Sequence, residues 1–213
     1  MGRWLPGMGP PTSSFKMKNE PITILLIAIS IIVCIISSLG ANTDIISGLF
    51  FSSSAIVHGQ IWRLFTPMFI HFGVLHILFN SMAAWQLSRP IEHYHSRSIF
   101  ICMVIVWSGI SNIAQAVMVG PMFGGLSGLL YGMFGYLWIY GIRNPGASFW
   151  LSKNNIIIML VWFGLCWTGL LGPVANWAHT GGLLSGIVWA YFATIQDCKP
   201  RQFNDPIKPF DDL

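Results

Sequence analysis

Apolar residues divide the chain into six long stretches, Pro21 to Leu39, Thr66 to Leu87, Ser98 to Val119, Gly125 to Ile142, Asn155 to Leu171 and Val174 to Gln196. Each approaches the roughly 20 residues, at about 1.5 Å apiece, that a helix needs to cross the hydrocarbon core of a bilayer. Between them stand Arg89-Pro90, Gly120-Pro121, Asn144-Pro145-Gly146 and Gly172-Pro173, pairs at which a helix does not readily continue. The pattern predicts an all-α polytopic membrane protein, a compact bundle of six transmembrane helices spanning residues 21–196. Residues 1–20 and 197–213, each with three prolines, are expected to be flexible tails. The first stretch follows a polar leader with Arg3, Lys16 and Lys18, but it is too long for a signal-peptide core and lacks an Ala-x-Ala-like site, so it is taken as a retained helix.

Composition supports a lipid environment. Of the 213 residues, 54% are hydrophobic and 8% charged, against roughly 25% charged in a soluble domain. The net charge of +4 is spread too thinly to follow a phosphate backbone, which argues against nucleic acid as a partner. It fits orientation in a membrane instead. With the N-terminus inside, ten of the eleven basic residues fall on the cytoplasmic side, and only Arg63 lies outside. The connection from Ala41 to Phe65 then becomes a long external loop with many apolar residues. It is either an ordinary loop or one lying in the outer interface, where Trp62 and Arg63 are suited to the depth. The four cysteines, 34, 102, 166 and 198, form no CxxC pair, and neither a disulfide framework nor a zinc knuckle is indicated.

Polar side chains inside spans are costly and so point to function. In the predicted topology Ser127 lies just below the outer end of the fourth segment, and His179 lies at similar depth in the sixth. His71, His76 and Asn80 enter from the outer end of the second, His76 and Asn80 sharing a face at i and i+4. A serine nucleophile needs a base within reach and donors for an oxyanion. Gly128 and Gly132 form one small-residue stripe and Gly182, Gly186 and Ala190 another, a pattern that lets two helices approach closely and would bring Ser127 to His179. Tyr131, one turn below Ser127, or Asn176 is available to orient the imidazole.

No acid falls within a span, which excludes an embedded triad and an aspartyl dyad, and no HExxH is present for a zinc protease. Each feature alone has a plainer account. A membrane serine commonly bonds back to its own helix, a histidine can join two helices or bind metal or haem, and Gly-x-Ser-Gly is a weak motif. A non-catalytic protein that binds client helices or a metal through its histidines is therefore the alternative.

The chain resembles the rhomboid intramembrane serine proteases, in particular the compact bacterial form. The resemblance runs through Trp62-Arg63-Leu64-Phe65-Thr66, His71-Phe72-Gly73-Val74-Leu75-His76-Ile77-Leu78-Phe79-Asn80, Gly124-Gly125-Leu126-Ser127-Gly128 and Ala175-Asn176-Trp177-Ala178-His179 with Gly182 and Gly186, or roughly residues 60 to 195. It implies a cofactor-independent, metal-free endopeptidase of the bacterial plasma membrane that cuts transmembrane proteins. Ser127 would be the nucleophile and His179 the base. The Ser127 N–H, His76 and Asn80 would form the oxyanion hole, within the Gly125 and Gly128 frame. The resemblance also implies that Tyr131 stacks on His179, that His71 and Gln115 hold water or hydrogen bonds, that Trp162 and Phe79 flank a lateral gate, and that Trp62 and Arg63 are structural.

Overall fold

The computed structural model describes residues 20–144, 147 and 151–197. Apart from Glu20 and Asp197, the expected tails lie outside the described residues. Among those described, the secondary structure is entirely helical: α1 (Pro21–Ile36), α2 (Thr43–Ile46), α3 (Ser53–Val57), two 3-10 turns (Ile61–Leu64 and Thr66–Phe69), α4 (Val74–Tyr94), α5 (Arg97–Met118), α6 (Ser127–Arg143), α7 (Lys153–Trp167) and α8 (Asn176–Asp197). By length and composition α5 alone among the described helices is apolar and long enough to cross a membrane, and α1 and α7 are apolar but shorter. The reason is chemical, because α4, α6 and α8 carry the histidines, asparagines and glycines that dilute a hydrophobic helix.

The outer surface is unusually apolar, and polar side chains share the interior with hydrophobic ones. On α5 the buried face holds Ser108, Ser111, Asn112 and Gln115, while Ile101, Ile105, Ile113 and Val117 are exposed. Exposed Ile, Leu and Val side chains also cover α1, α7 and α8. An outer surface of this kind is suited to lipid, in which close packing and interhelical hydrogen bonds, rather than apolar burial, hold helices together.

Close packing centres on α6, which lies against α8, α4 and α5. A Cβ at Gly182 would overlap the Gly128 carbonyl, and one at Gly186 would overlap the Gly132 carbonyl. These are the two stripes read from the sequence, and here the α6 and α8 backbones touch. On its other side, Gly132 leaves room for Trp107, whose Cβ and Cγ would stand 2.9 Å from an added methyl. Farther along α6 from Ser127, fully buried Trp107, Phe134, Tyr136 and Tyr140 fill the bundle.

Two boundaries differ from the expectation. The second segment does not begin its helix at Thr66. Pro67 and the following residues form a 3-10 turn and an extended link, and α4 starts only at Val74 after Gly73, whose φ is +94°. At its other end α4 continues through Arg89-Pro90 to Tyr94. A proline inside a helix costs roughly 3 kcal/mol, and the last turn has partners that offset it. Glu92, 4% exposed, accepts hydrogen bonds from the Ile22 and Thr23 N–H groups, both at 2.8 Å, and from Thr23 Oγ1 at 2.7 Å. Arg89 pairs with buried Glu20 at 3.3 Å and lies over the Trp85 ring. His95 meets the Tyr136 hydroxyl at 2.6 Å, and the Tyr94 and Tyr140 hydroxyls are 2.9 Å apart.

Glu92 thus caps α1 from another helix, satisfying N–H groups that the start of a helix always leaves open. Glu92→Ala is expected to lower unfolding stability by about 2–3 kcal/mol, the cost of orphaning buried donors that had a charged acceptor. Thermal unfolding in detergent checks this.

The loop from Ala41 to Phe65 is built as a structure of its own. Arg63 Nη1 donates to the Ser47 carbonyl at 2.7 Å and the Phe50 carbonyl at 3.2 Å, and its Nε donates to Gln60 Oε1 at 2.6 Å. Trp62 Nε1 donates to the Gly48 carbonyl at 3.1 Å and Thr66 Oγ1 to the Leu49 carbonyl at 2.8 Å. Asn112 of α5 reaches the Leu64 carbonyl at 2.9 Å and so pins the loop to the bundle.

Candidate active site

Ser127 is the first residue of α6, and a glycine turn puts it there. Gly124 packs so tightly on Ile70 that a Cβ would lie 2.7 Å from the Ile70 side chain. Gly125 adopts φ +125°, a backbone conformation that glycine alone takes without strain. Two bonds tie the turn to the segment before α4: the Gly125 N–H donates to the Pro67 carbonyl at 3.1 Å, and the Leu126 N–H to His71 Nε2 at 3.4 Å. The first helical bond of α6 is Leu130 N–H to the Leu126 carbonyl. The Ser127 N–H therefore precedes the helical ladder, at the end where helix donors point outward.

His179 lies in the first turn of α8, 3% exposed, with its Nε2 2.8 Å from Ser127 Oγ. The α6–α8 contact described above makes this possible, with Gly128 facing Ala178 and Ser111. The Tyr131 ring lies 4.7 Å from the imidazole centroid at 39°. Gln115 of α5 holds the start of α8, its Oε1 accepting from the Trp177 N–H at 3.1 Å and the Ala178 N–H at 3.2 Å. It fixes the backbone on which His179 is carried. Asn176 turns the other way, its Nδ2 donating to the Cys166 carbonyl of α7 at 3.1 Å.

Two more histidines converge from α4 and its approach. The Phe72 N–H donates to His76 Nδ1 at 3.2 Å. A nitrogen that accepts carries no proton, so the neutral ring holds its proton on Nε2. That Nε2 faces the turn, since a Cβ at Gly125 would lie 2.7 Å from it and 3.6 Å from Ser127 Oγ. His76 Nε2–H is thus a donor beside the serine. Asn80, one turn later and 6% exposed, gives one amide hydrogen to the His76 carbonyl at 3.0 Å and keeps a second.

His71, fully buried, is 4.9 Å from the His76 ring. Its Nδ1 meets the Phe69 carbonyl at 3.1 Å, so Nδ1 is the protonated nitrogen and Nε2 accepts from Leu126. Its hydrogen bonds join the α4 approach to the serine turn. Among the described residues no group of three His, Cys, Asp or Glu is placed to hold a metal ion.

On the open side of the site, the Phe79 and Trp162 rings lie 6.1 Å apart, between α4 and α7. Helix α7 buries only Cys166 among its residues. It meets the site through Phe163, 5.4 Å from the Tyr131 ring, and the Met159 carbonyl, 3.3 Å from the Tyr131 hydroxyl. The sequence reading did not single out Glu92, Asn112 or Ser111. A signal existed for the last two: Ser108, Ser111, Asn112 and Gln115 recur at helical spacing within the apolar fifth segment. Glu92 sits beside charged neighbours at a segment end and carries no such mark.

The chain is also similar to known proteins over most of its length. The rhomboid domain family model matches residues 58–196. Over 187 residues, 87% of this chain and 68% of each relative, the chain is 30% identical to the rhomboid protease GlpG of Salmonella paratyphi A (strain ATCC 9150 / SARB42). Over the same span and coverage it is 30% identical to that of Salmonella typhi and 35% identical to that of Enterobacter sp. (strain 638). A match of this extent makes the chain a member of the rhomboid family of intramembrane serine proteases.

Proposed function

We propose that this protein hydrolyses peptide bonds of transmembrane protein substrates by a Ser127–His179 dyad. The observation that carries the reading is the 2.8 Å hydrogen bond from Ser127 Oγ to His179 Nε2, in a site beside which the described residues place no metal-binding cluster. Ser127 Oγ attacks the scissile carbonyl while its proton passes to His179 Nε2. The tetrahedral oxyanion is held by the Ser127 N–H, His76 Nε2–H and the free Asn80 amide hydrogen, each donor of this kind lowering the barrier by about 2.7–4 kcal/mol. When the C–N bond breaks, His179 gives its proton to the leaving amine, and an acyl-enzyme on Ser127 remains. A water then attacks the ester, losing its proton to His179, which returns it to the Ser127 oxygen as the acid leaves.

In this reading residues 21–196 form a membrane domain crossing six times, by α1, α4, α5, α6, α7 and α8, with both termini cytoplasmic. The site opens toward the outer side of a bacterial inner membrane. Substrate helices enter between α4 and α7, past Phe79 and Trp162. Neither metal nor cofactor takes part. Residues at the cut that form helices poorly ease the unwinding that exposes the carbonyl.

A serine-reactive fluorophosphonate is expected to label the detergent-solubilised protein at Ser127 with a chelator present, and to leave Ser127→Ala unlabelled. A folded wild-type protein that takes up no label and cleaves no transmembrane substrate would overturn the proposal.

A further inference from the structure

Among the described residues the dyad has no third group. His179 accepts from Ser127 at Nε2, so its neutral ring carries the proton on Nδ1, and that buried Nδ1 has no hydrogen-bond partner among the described residues. A buried N–H left without an acceptor is costly, and the cost rises when the ring becomes an imidazolium during catalysis. The acyl-transfer chemistry therefore requires an acceptor at this atom, and no carboxylate supplies it.

A second orphan lies in the same turn of α8. Asn176 Oδ1 is buried and also without a partner, while the Nδ2 of the same amide is held by the Cys166 carbonyl. Asn176 and His179 are three residues apart in the first turn of α8, and residues at i and i+3 are neighbours on one helix face, with Cβ atoms about 5–6 Å apart. One orphan is a donor and the other an acceptor. The Cys166 bond fixes the amide so that the oxygen, not the nitrogen, is the free end. A single water suits such a pair, since buried waters are held by two to four polar partners.

We propose that one buried water bridges His179 Nδ1–H and Asn176 Oδ1, making Asn176 a positioning residue that takes the place of the acid in a triad. The water accepts from Nδ1–H and donates to Oδ1. It selects the tautomer in which Nε2 is free to take the Ser127 proton, and it solvates the imidazolium that follows. Tyr131 fixes the plane of the ring by stacking, whereas the bridge fixes which nitrogen carries the proton.

The inference rests on the dyad reading, and His179→Ala in the same assay keeps the two apart: cleavage at wild-type rate without His179 ends the dyad reading, whatever Asn176 does. Asn176→Ala removes both halves of the amide. Asn176→Asp keeps an acceptor toward the water but loses the donor to Cys166. In steady-state cleavage of a transmembrane substrate, Asn176→Ala should lower kcat by about 10-fold to 100-fold, the scale of a misplaced catalytic group, with KM unchanged. Asn176→Asp should recover most of that loss, because its carboxylate keeps an acceptor toward the water. Nitrogen-15 spectra of labelled histidine should show the His179 proton on Nδ1 in wild type and Asn176→Asp, and shared between nitrogens in Asn176→Ala. Equal loss in both variants would assign Asn176 to anchoring α7 and overturn the bridge. Unchanged kcat in Asn176→Ala, or an unchanged tautomer, would overturn it as well.

Discussion

His179→Ala is expected to lower cleavage of a transmembrane substrate by about 10,000-fold or more, the scale on which the loss of a general base acts where nucleophile and base work as a unit. The loss should appear in kcat, because buried His179 touches Ser127 and Tyr131 and acts through the serine oxygen. Folding should survive, since the α6–α8 contact depends on Gly128, Gly132, Gly182 and Gly186 and not on the imidazole. Ser127→Ala should match it, and the double variant should be no worse than either. Activity within tenfold of wild type in His179→Ala would show that another group takes the serine proton.

The second large effect is structural. Gly186→Leu should leave little folded protein, because the new side chain begins where the Gly132 carbonyl already stands. A backbone carbonyl cannot rotate away as a flexible side chain can, so α6 and α8 must separate, carrying Ser127 from His179. Overpacking a tight site typically costs about 1–3 kcal/mol, and a backbone overlap lies at or beyond the upper end. Gly186→Ala should fold with a lower melting temperature and reduced activity. Gly164→Ala provides the control: on α7 nothing lies within 4 Å of the added methyl, and alanine improves helix propensity by up to about 1 kcal/mol. Thermal unfolding and cleavage should therefore fall for position 186 and hold or rise for position 164.

Much of this arrangement is legible in the residues. The glycine stripes of the fourth and sixth apolar segments mark the closest helix contact because only residues without side chains permit it, and that requirement is local. That Ser127 and His179 fall in the first turns of their helices follows from where the fourth and sixth segments start. Other features depend on contacts between distant parts of the chain. Pro90 reads as a breaker until the bonds of Glu92 to Ile22 and Thr23 are known, and those partners lie about 70 positions away. The orientation of Asn176 was open because its partner, the Cys166 carbonyl, carries no sequence signal. Phe79 and Trp162 are ordinary exposed aromatics until the fold brings their rings to 6.1 Å of each other, and only the resemblance to rhomboids singled them out.

The contrast between α6–α8 and α7 also divides the molecule by how freely it can vary. Helix α7 buries one residue and presents Ile157, Ile158, Val161 and Trp162 outward, so most of its positions are free of the constraints that fix the glycines opposite. In the proposed reading, in which substrate helices pass Phe79 and Trp162, a library confined to the outward positions of α7 would alter which helices are admitted, provided that Phe163 and the Met159 and Cys166 carbonyls, which meet Tyr131 and Asn176, are kept. Selectivity would then be open to a designer, or to natural selection, on one face of a helix whose other face supports the chemistry.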